Sequence, residues 1–364
     1  MDPHLPDPDH GFRLQRLRQR LRPKRLDGLL VTHLPNLHYL TGFTGSSAVL
    51  ALTRNEAAFF CDGRYTEQAG SEVQTAKVSI CKASCLVAAT DWLGRRCRSI
   101  GFDSGHLSVS QWQHAGSKLR RARRLVPASG LVEALRMVKD ATEIDRLREA
   151  VLLGSRLFSE VLPQLRPGIR EDHVAAEIQY RAQKSGAQGM AFDTIVAGGP
   201  RSALPHGRAT SKPLPPTGFV VLDFGVILAG YCSDMTRTVH LGEPQTASRR
   251  VYGAVLAAQK AAVAAVKPGA SAGEIDRAAR SRLERAGLGK YFTHSTGHGV
   301  GLEIHEAPRL AKGQRLRLRP GMVITIEPGV YIPGEGGVRI EDMVLVTARG
   351  HEVLTPTPKE LLII

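Results

Sequence analysis

Short apolar runs separated by turn residues alternate with amphipathic stretches over the first third of the chain. "GLLVT" (28–32), "SAVLAL" (47–52), "EAAFFC" (56–61) and "SIGFD" (99–103) are bounded by Gly, Pro or charged residues and read as strands. Thr66–Ser71 and Ser110–Arg123 between them read as helices, which predicts a compact α/β unit. The pattern changes near Ala128. Ile144, Leu147, Val151, Phe158 and Leu162 recur at three-to-four spacing, the stripe of a helix with one buried face. Asp140 and Glu143 have the spacing of a capping box at its start. This division predicts an N-terminal domain over residues 1–128, a linker over 129–139 and a larger domain over 140–364.

The larger part carries a repeat. Pro167-Gly168 recurs as Pro268-Gly269 and Gly186 as Gly287, both at an offset of 101 residues. Each Pro-Gly follows a long amphipathic stretch and precedes a second one ending at the matched Gly. Two units are too few for a solenoid, so the repeat predicts two similar halves around a central site. Strand pairs follow each half. "FVVLDFGVI" (219–227) and "GYCSDMTRTVH" (230–240) flank Leu228-Ala229, and "MVITIEPGVYI" (322–332) and "GGVRIEDMVLVT" (336–347) flank Pro333–Glu335. The expected core is a curved antiparallel sheet with helices outside.

These hairpins bring carboxylates together. A turn at Leu228-Ala229 sets Asp223 directly opposite Asp234, with Cβ atoms ~5 Å apart. Two-residue periodicity turns Glu327 and Glu341 to one face of the second pair, away from Ile324, Ile326 and Ile340. Four acids on apolar strands would repel, a cost that a divalent cation or an arginine relieves. His298 lies between Gly297 and Gly299 in "HSTGHGVGLEIHE" (294–306), where glycines permit close backbone approach and positive φ. Four carboxylates and one imidazole suit two hard-to-borderline cations, most simply Mn²⁺, with Co²⁺ or Zn²⁺ as alternatives.

Composition narrows the remaining classes. With 42% hydrophobic and 23% charged residues over 364 positions the chain is that of a globular protein of two domains. No apolar leader and no run of about 18 apolar residues is present, so a cytoplasmic protein without membrane contact is expected. Five cysteines, an odd number, fit a reducing compartment. Cys81 and Cys85 lack the spacing of a zinc site. The formal charge of +15 raises nucleic acid as a partner, but the basic stretch "SKLRRARRL" (117–125), read as a helix, has no interleaved aromatics, and no nucleic acid is expected.

The motifs "VLDFG", "YCSDMTRT", "HSTGHGVGLEIHE", "ITIEPGVY" and "GGVRIEDMVLVT" together resemble the pita-bread metallopeptidases, most closely the Xaa-Pro peptidases (proline dipeptidase and aminopeptidase P). "GLLVTHLPNLHYLTGFTGSSAVLAL" and "CDGRYTEQA" are similar to the creatinase-type N-terminal domain, so the resemblance spans nearly the whole chain. It implies an α/β (α+β) protein: a smaller creatinase-like domain, then a pita-bread fold of pseudo-twofold duplicated halves around a curved antiparallel sheet. It also implies dinuclear-metal hydrolysis of the N-terminal Xaa-Pro bond of dipeptides or short peptides, in a homodimer. Asp223, Asp234, His298, Glu327 and Glu341 match the family's metal ligands, with Asp234 and Glu341 bridging. Glu327 is expected also to move the water's proton. His206 and His305 match histidines near the substrate, His294 a supporting histidine, and Arg339 an arginine that orients carboxylates by bidentate bonding. Phe192, Tyr231 and Tyr331 are candidates to wall the pocket. Two alternatives stay open: an aminopeptidase of the same fold without proline preference, and a catalytically inactive peptide-binding relative.

Overall fold

The computed structural model describes residues 8–120 and 123–364, which form two compact units divided between Arg136 and Met137. The first contains α1 (His10–Leu21), β1 (Gly28–Val31), α2 (Leu34–Thr41), β2 (Val49–Thr53), β3 (Ala57–Asp62), α3 (Thr66–Glu72), β4 (Lys77–Cys81), α4 (Cys85–Gly94), β5 (Ser99–Phe102), α5 (Val109–Ser117), β6 (Arg124–Pro127) and α6 (Glu133–Arg136). Its sheet runs β4-β3-β2-β1-β5-β6, with β1, β5 and β6 mutually parallel and β2 antiparallel to β1 and β3. β1, β2 and β5 are buried along their whole length, which is why they read as continuous apolar runs.

The expected basic helix does not form. The Ser108–Gln111 capping box starts α5, but the helix stops at Ser117. Arg124 and Leu125 instead pair with Ser99 and Ile100 at the sheet edge, where ladder hydrogen bonds replace helical ones. Arg121 and Ala122 lie outside the described residues. In the stretch read as a linker, Leu131, Val132 and Leu135 are buried around α6.

The second unit opens with α7 (Ala141–Val161), whose capping box joins Asp140 and Glu143 as anticipated. α8 (Glu171–Lys184), β7 (Gly189–Met190), β8 (Ile195–Gly198), β9 (Gly218–Phe224), β10 (Val226–Leu228), β11 (Tyr231–Cys232) and β12 (Met235–Leu241) complete the first half. The second half has α9 (Thr246–Ala265), α10 (Ala272–Arg285), β13 (Gly297–Gly299), β14 (Glu306–Leu310), β15 (Val323–Ile326), β16 (Gly329–Ile332), β17 (Gly336–Arg339), β18 (Asp342–Val346) and β19 (His351–Val353).

The repeat is physical. α8 and α10 are 14 residues each and begin 101 residues apart. Gly168 and Gly269 both have φ +83 and donate their N–H to Leu214 and Leu318. Each half buries its own apolar cluster, one around Leu157, Phe158 and Ile178, the other around Val255, Ile275 and Leu283. The antiparallel strands do not make one continuous sheet, however. They fall into segments β11-β10-β7, β12-β9-β8, β14-β13-β15-β18-β19 and β16-β17, with breaks at Asp234, Glu327 and Glu341. No helix among the described residues is long and apolar enough to cross a membrane.

Candidate metal centre

In the first hairpin Leu228 pairs with Tyr231, and Asp223 faces Thr236 rather than Asp234. The turn is therefore Ala229-Gly230, one residue beyond the expected Leu228-Ala229. Both turn residues have positive φ (+50 and +81), the conformation of a type I′ turn that matches strand twist. Asp223 and Asp234 become diagonal neighbours, still on one face because Asp234 is two residues from Thr236. The ladder opens beside Asp234 at Gly225, where a Cβ would meet Ser233 O at 1.8 Å.

The second hairpin keeps one register throughout. Ile326 pairs with Asp342 and Gly329 with Arg339, which puts Glu327 directly across from Glu341 in the gap between the two ladders. Their backbone N–H groups, released from the ladder, donate elsewhere: Glu327 to Thr296 O (2.8 Å) and Glu341 to Thr236 O (3.1 Å). The gaps thus aim carboxylates inward without orphaning donors.

His298 sits on β13. Its flanking glycines are needed for space, not for positive φ. A Cβ at Gly297 would meet Thr325 O at 2.0 Å, and one at Gly299 would meet Ala307 O at 2.2 Å. His298 Nδ1 donates to Gly299 O (3.0 Å), which leaves the Nε2 lone pair facing Glu327 Oε1 (3.3 Å) and Asp234 Oδ2 (3.6 Å). The ligand atoms of Asp234, His298 and Glu341 lie within 4.8 Å of one another.

All five predicted ligands line one cavity of about 620 Å³, and so do His206, His294, His305 and Arg339. Arg339 is buried and donates to Asp223 Oδ2, Tyr331 OH (2.7 Å), Thr236 Oγ1 (3.1 Å) and Pro205 O (3.1 Å). It grips a single oxygen of Asp223, so the expected bidentate pairing is not made; its remaining N–H groups go to neutral acceptors. Because arginine only donates, Tyr331 must give its own proton to His294 Nε2 (2.9 Å), and His294 Nδ1–H goes to Ser295 O (2.7 Å). Burial, then the charge of Arg339, pushes His294 down to about 4 and keeps it neutral. His294 therefore reaches the acids through Tyr331 and Arg339. Thr236 completes the frame by donating to Glu341 Oε2 (2.7 Å).

Burial, and after it the neighbouring acids, holds Asp234 and Glu341 well above the usual carboxylate range. Burial, opposed by Arg339, brings Glu327 to about 7. No lysine or arginine pairs with Asp234, Glu327 or Glu341 among the described residues. Asp223 Oδ1 is buried and accepts no hydrogen bond from the described residues. A set of hard oxygen donors with one aimed imidazole and unmet negative charge fits divalent cations.

Of the three candidate wall aromatics, Phe192 and Tyr331 line the cavity. Tyr231 does not: it is packed with Leu147, Val151 and Cys232, and its hydroxyl donates to Glu143 Oε1 (3.1 Å). Lining residues that the sequence did not single out include Arg309, Glu306 and Ile304. Glu306 forms a buried ion pair with Lys139 (3.1 Å) that pins the segment carrying His305. Their signal was proximity to His305 in "EIHEAPR".

The chain belongs to metallopeptidase family M24, which matches residues 145–348. Residues 13–138 match the creatinase/prolidase N-terminal domain, and the mixed α/β architecture is the pita-bread fold with its creatinase-type partner. Among similar proteins are the uncharacterized peptidase YqhT of Bacillus subtilis (40% identical, covering 97% of this chain and 100% of that one) and the Xaa-Pro dipeptidase of Pyrococcus furiosus (37%, covering 96% and 99%). The solved structure of an Xaa-Pro dipeptidase from Bacillus anthracis superposes with a TM-score of 0.95 at 40% identity, covering 98% of this chain and 100% of that one.

Proposed function

We propose that this chain is a metal-dependent Xaa-Pro dipeptidase, acting on the bond between a free amino-terminal residue and a following proline. The carrying observation is that Asp223, Asp234, His298, Glu327 and Glu341, from distant points of the chain, line one cavity, and that among the described residues no lysine or arginine pairs with Asp234, Glu327 or Glu341. We assign these five residues to two divalent cations, Mn²⁺ first, and expect a cytoplasmic homodimer. Such a pair of cations supplies Lewis acidity, making water a nucleophile near neutral pH and polarising a carbonyl oxygen.

The side chains do the rest. Glu327 accepts the proton of the attacking water and returns it to the departing proline nitrogen. The acids bind the substrate's α-ammonium, which confines cleavage to the first bond. An Xaa-Pro bond has no N–H, so a cavity walled by Phe192, Ile304 and Tyr331 suits the pyrrolidine ring. His305 is exposed at the cavity, with its ring 4.4 Å from that of His298. Burial, then the neighbouring histidines His298 and His206, lowers its pKa, so it stays a neutral N–H donor to the carbonyl oxygen as charge develops there. His206 is held on the same wall by the bond from Arg339 to Pro205 O.

Two measurements test this directly. His305→Ala should keep both cations by elemental analysis and lower kcat by about 10²–10³-fold, the loss of one oxyanion donor; loss of cations would remove His305 from this role. Arg309 offers a guanidinium for the proline carboxylate of a dipeptide. Arg309→Ala should raise KM for Ala-Pro by about 10-fold or more, a charge-assisted bond of 1.5–3 kcal/mol, and leave Ala-Pro-amide nearly unchanged. Equal effects on both substrates, or faster cleavage of Ala-Pro-Ala-Ala than of Ala-Pro, would replace dipeptidase by aminopeptidase.

A further inference from the structure

The first unit gathers a second set of donors at one edge of its sheet. β1, β5 and β6 are adjacent and parallel, so the segments leaving them emerge side by side, the edge where open parallel sheets hold ligands. His33 follows β1, Asp103 and His106 follow β5, and Glu133 opens α6 after β6. The imidazoles of His33 and His106 stack with centroids 3.5 Å apart and planes 10° from parallel. His106 Nε2 lies 3.8 Å from Asp103 Oδ2 and 3.9 Å from Glu133 Oε1. Ligand atoms of His33, His106 and Glu133 all lie within 4.8 Å of one another.

Glu133 is aimed from behind. Asn36 Nδ2 donates to its Oε1 (2.5 Å), and Arg136 Nη1 donates to Asn36 Oδ1 (2.7 Å), both helpers being buried. That relay fixes one oxygen, while Oε2 is buried and the Glu133 and Asp103 carboxyls lie within hydrogen-bonding reach of each other, a pairing that a shared proton or a cation can hold. Asp103 is fixed in the same manner, its Oδ1 accepting the Gly105 N–H (3.0 Å). Outer partners that orient donors and leave lone pairs unused are what metal sites require.

We propose that this edge binds one borderline divalent cation of the Zn²⁺ type through His33, His106 and Glu133, with Asp103 as fourth donor. Two imidazoles and two carboxylates suit Zn²⁺ better than the all-oxygen sites of Mg²⁺ or Ca²⁺. Tetrahedral donors about 2.0–2.1 Å from an ion stand roughly 3.4 Å apart. The donors therefore close by about an ångström, and the stacked rings splay; the His106 side chain, 35% exposed, has room to turn. The ion would tie together the loops after β1 and β5 and the start of α6. It takes no part in hydrolysis, and the site stands whether or not the reading of the cavity does.

The test uses the full chain, Zn²⁺ alone and a background in which Asp234→Asn and Glu341→Gln disable the cavity. After equilibration with Zn²⁺ and gel filtration, this background should retain one zinc per chain by mass spectrometry. Adding His106→Ala, or separately Glu133→Gln, should bring the count to none, with far-UV circular dichroism unchanged. X-ray absorption on the background should show nitrogen/oxygen ligation with imidazole scattering. A background that retains no zinc overturns the site. So does zinc that both added substitutions leave in place, which would be adventitious.

Discussion

Glu341→Gln should lower Xaa-Pro hydrolysis by about 10³-fold or more, equivalent to the several kcal/mol that a dinuclear centre supplies to a transition state. Glutamine keeps the size and the acceptor for the Thr236 hydroxyl, so the buried frame survives. What it removes is a negative charge at the point facing Glu327 across the hairpin. Elemental analysis should accordingly show at least one cation fewer per chain than in the parent. The sign of the stability change separates this from a folding defect. Without metal, Glu341 is held well above the usual range by burial and then by Glu327 and Asp223, so an uncharged side chain relieves the apo-protein. Its metal-free Tm should equal or exceed that of the parent. A variant that keeps both cations and full turnover would remove Glu341 from the centre; one with a collapsed metal-free Tm would make its role structural.

Strand parity explains why much of this centre could be read from the chain. Parity survives errors of register by two: Asp223 and Asp234 stay on one face whether opposite or diagonal, so the misplaced turn did not scatter the ligands. The turn was missed because Ala229 adopts φ +50, a conformation that its type does not advertise. The duplication was legible because Pro-Gly and terminal Gly mark positive-φ positions that few other residues fill. Sheet breaks at Asp234, Glu327 and Glu341 were not legible, since pattern alone gives no reason for an apolar strand to leave its ladder. Contacts between distant residues were also hidden. Lys139 with Glu306 and the Arg339–Tyr331–His294 chain depend on packing, and Tyr231 left the expected wall because α7 supplies Glu143 to its hydroxyl. The basic run misled because a helix was inferred from charge without an apolar stripe.

Cation binding should stabilise the protein increasingly as pH rises from about 5 to about 8. Glu327 has a folded pKa of about 7 against an ordinary 4.5, raised chiefly by burial. A raised pKa means the fold prefers the proton. The stability this contributes is fully present below the unfolded value and is lost as pH rises through about 7, and Asp234 and Glu341 act in the same direction. For Glu327 alone the loss amounts to roughly 3 kcal/mol. Cations invert the preference, because only deprotonated carboxylates bind them. His298 is already suited to binding, since burial lowers its pKa and keeps Nε2 unprotonated. Thermal melts with and without saturating Mn²⁺ should therefore diverge: the gain in Tm is small near pH 5 and grows until about pH 8. The difference between paired melts cancels acids remote from the cavity, whose titration is common to both. Titration calorimetry at pH 6 in buffers of different ionisation enthalpy should register at least one proton released per chain, and little release above pH 8. A gain in Tm independent of pH, with no proton release at pH 6, would mean that these carboxylates do not hold the metal.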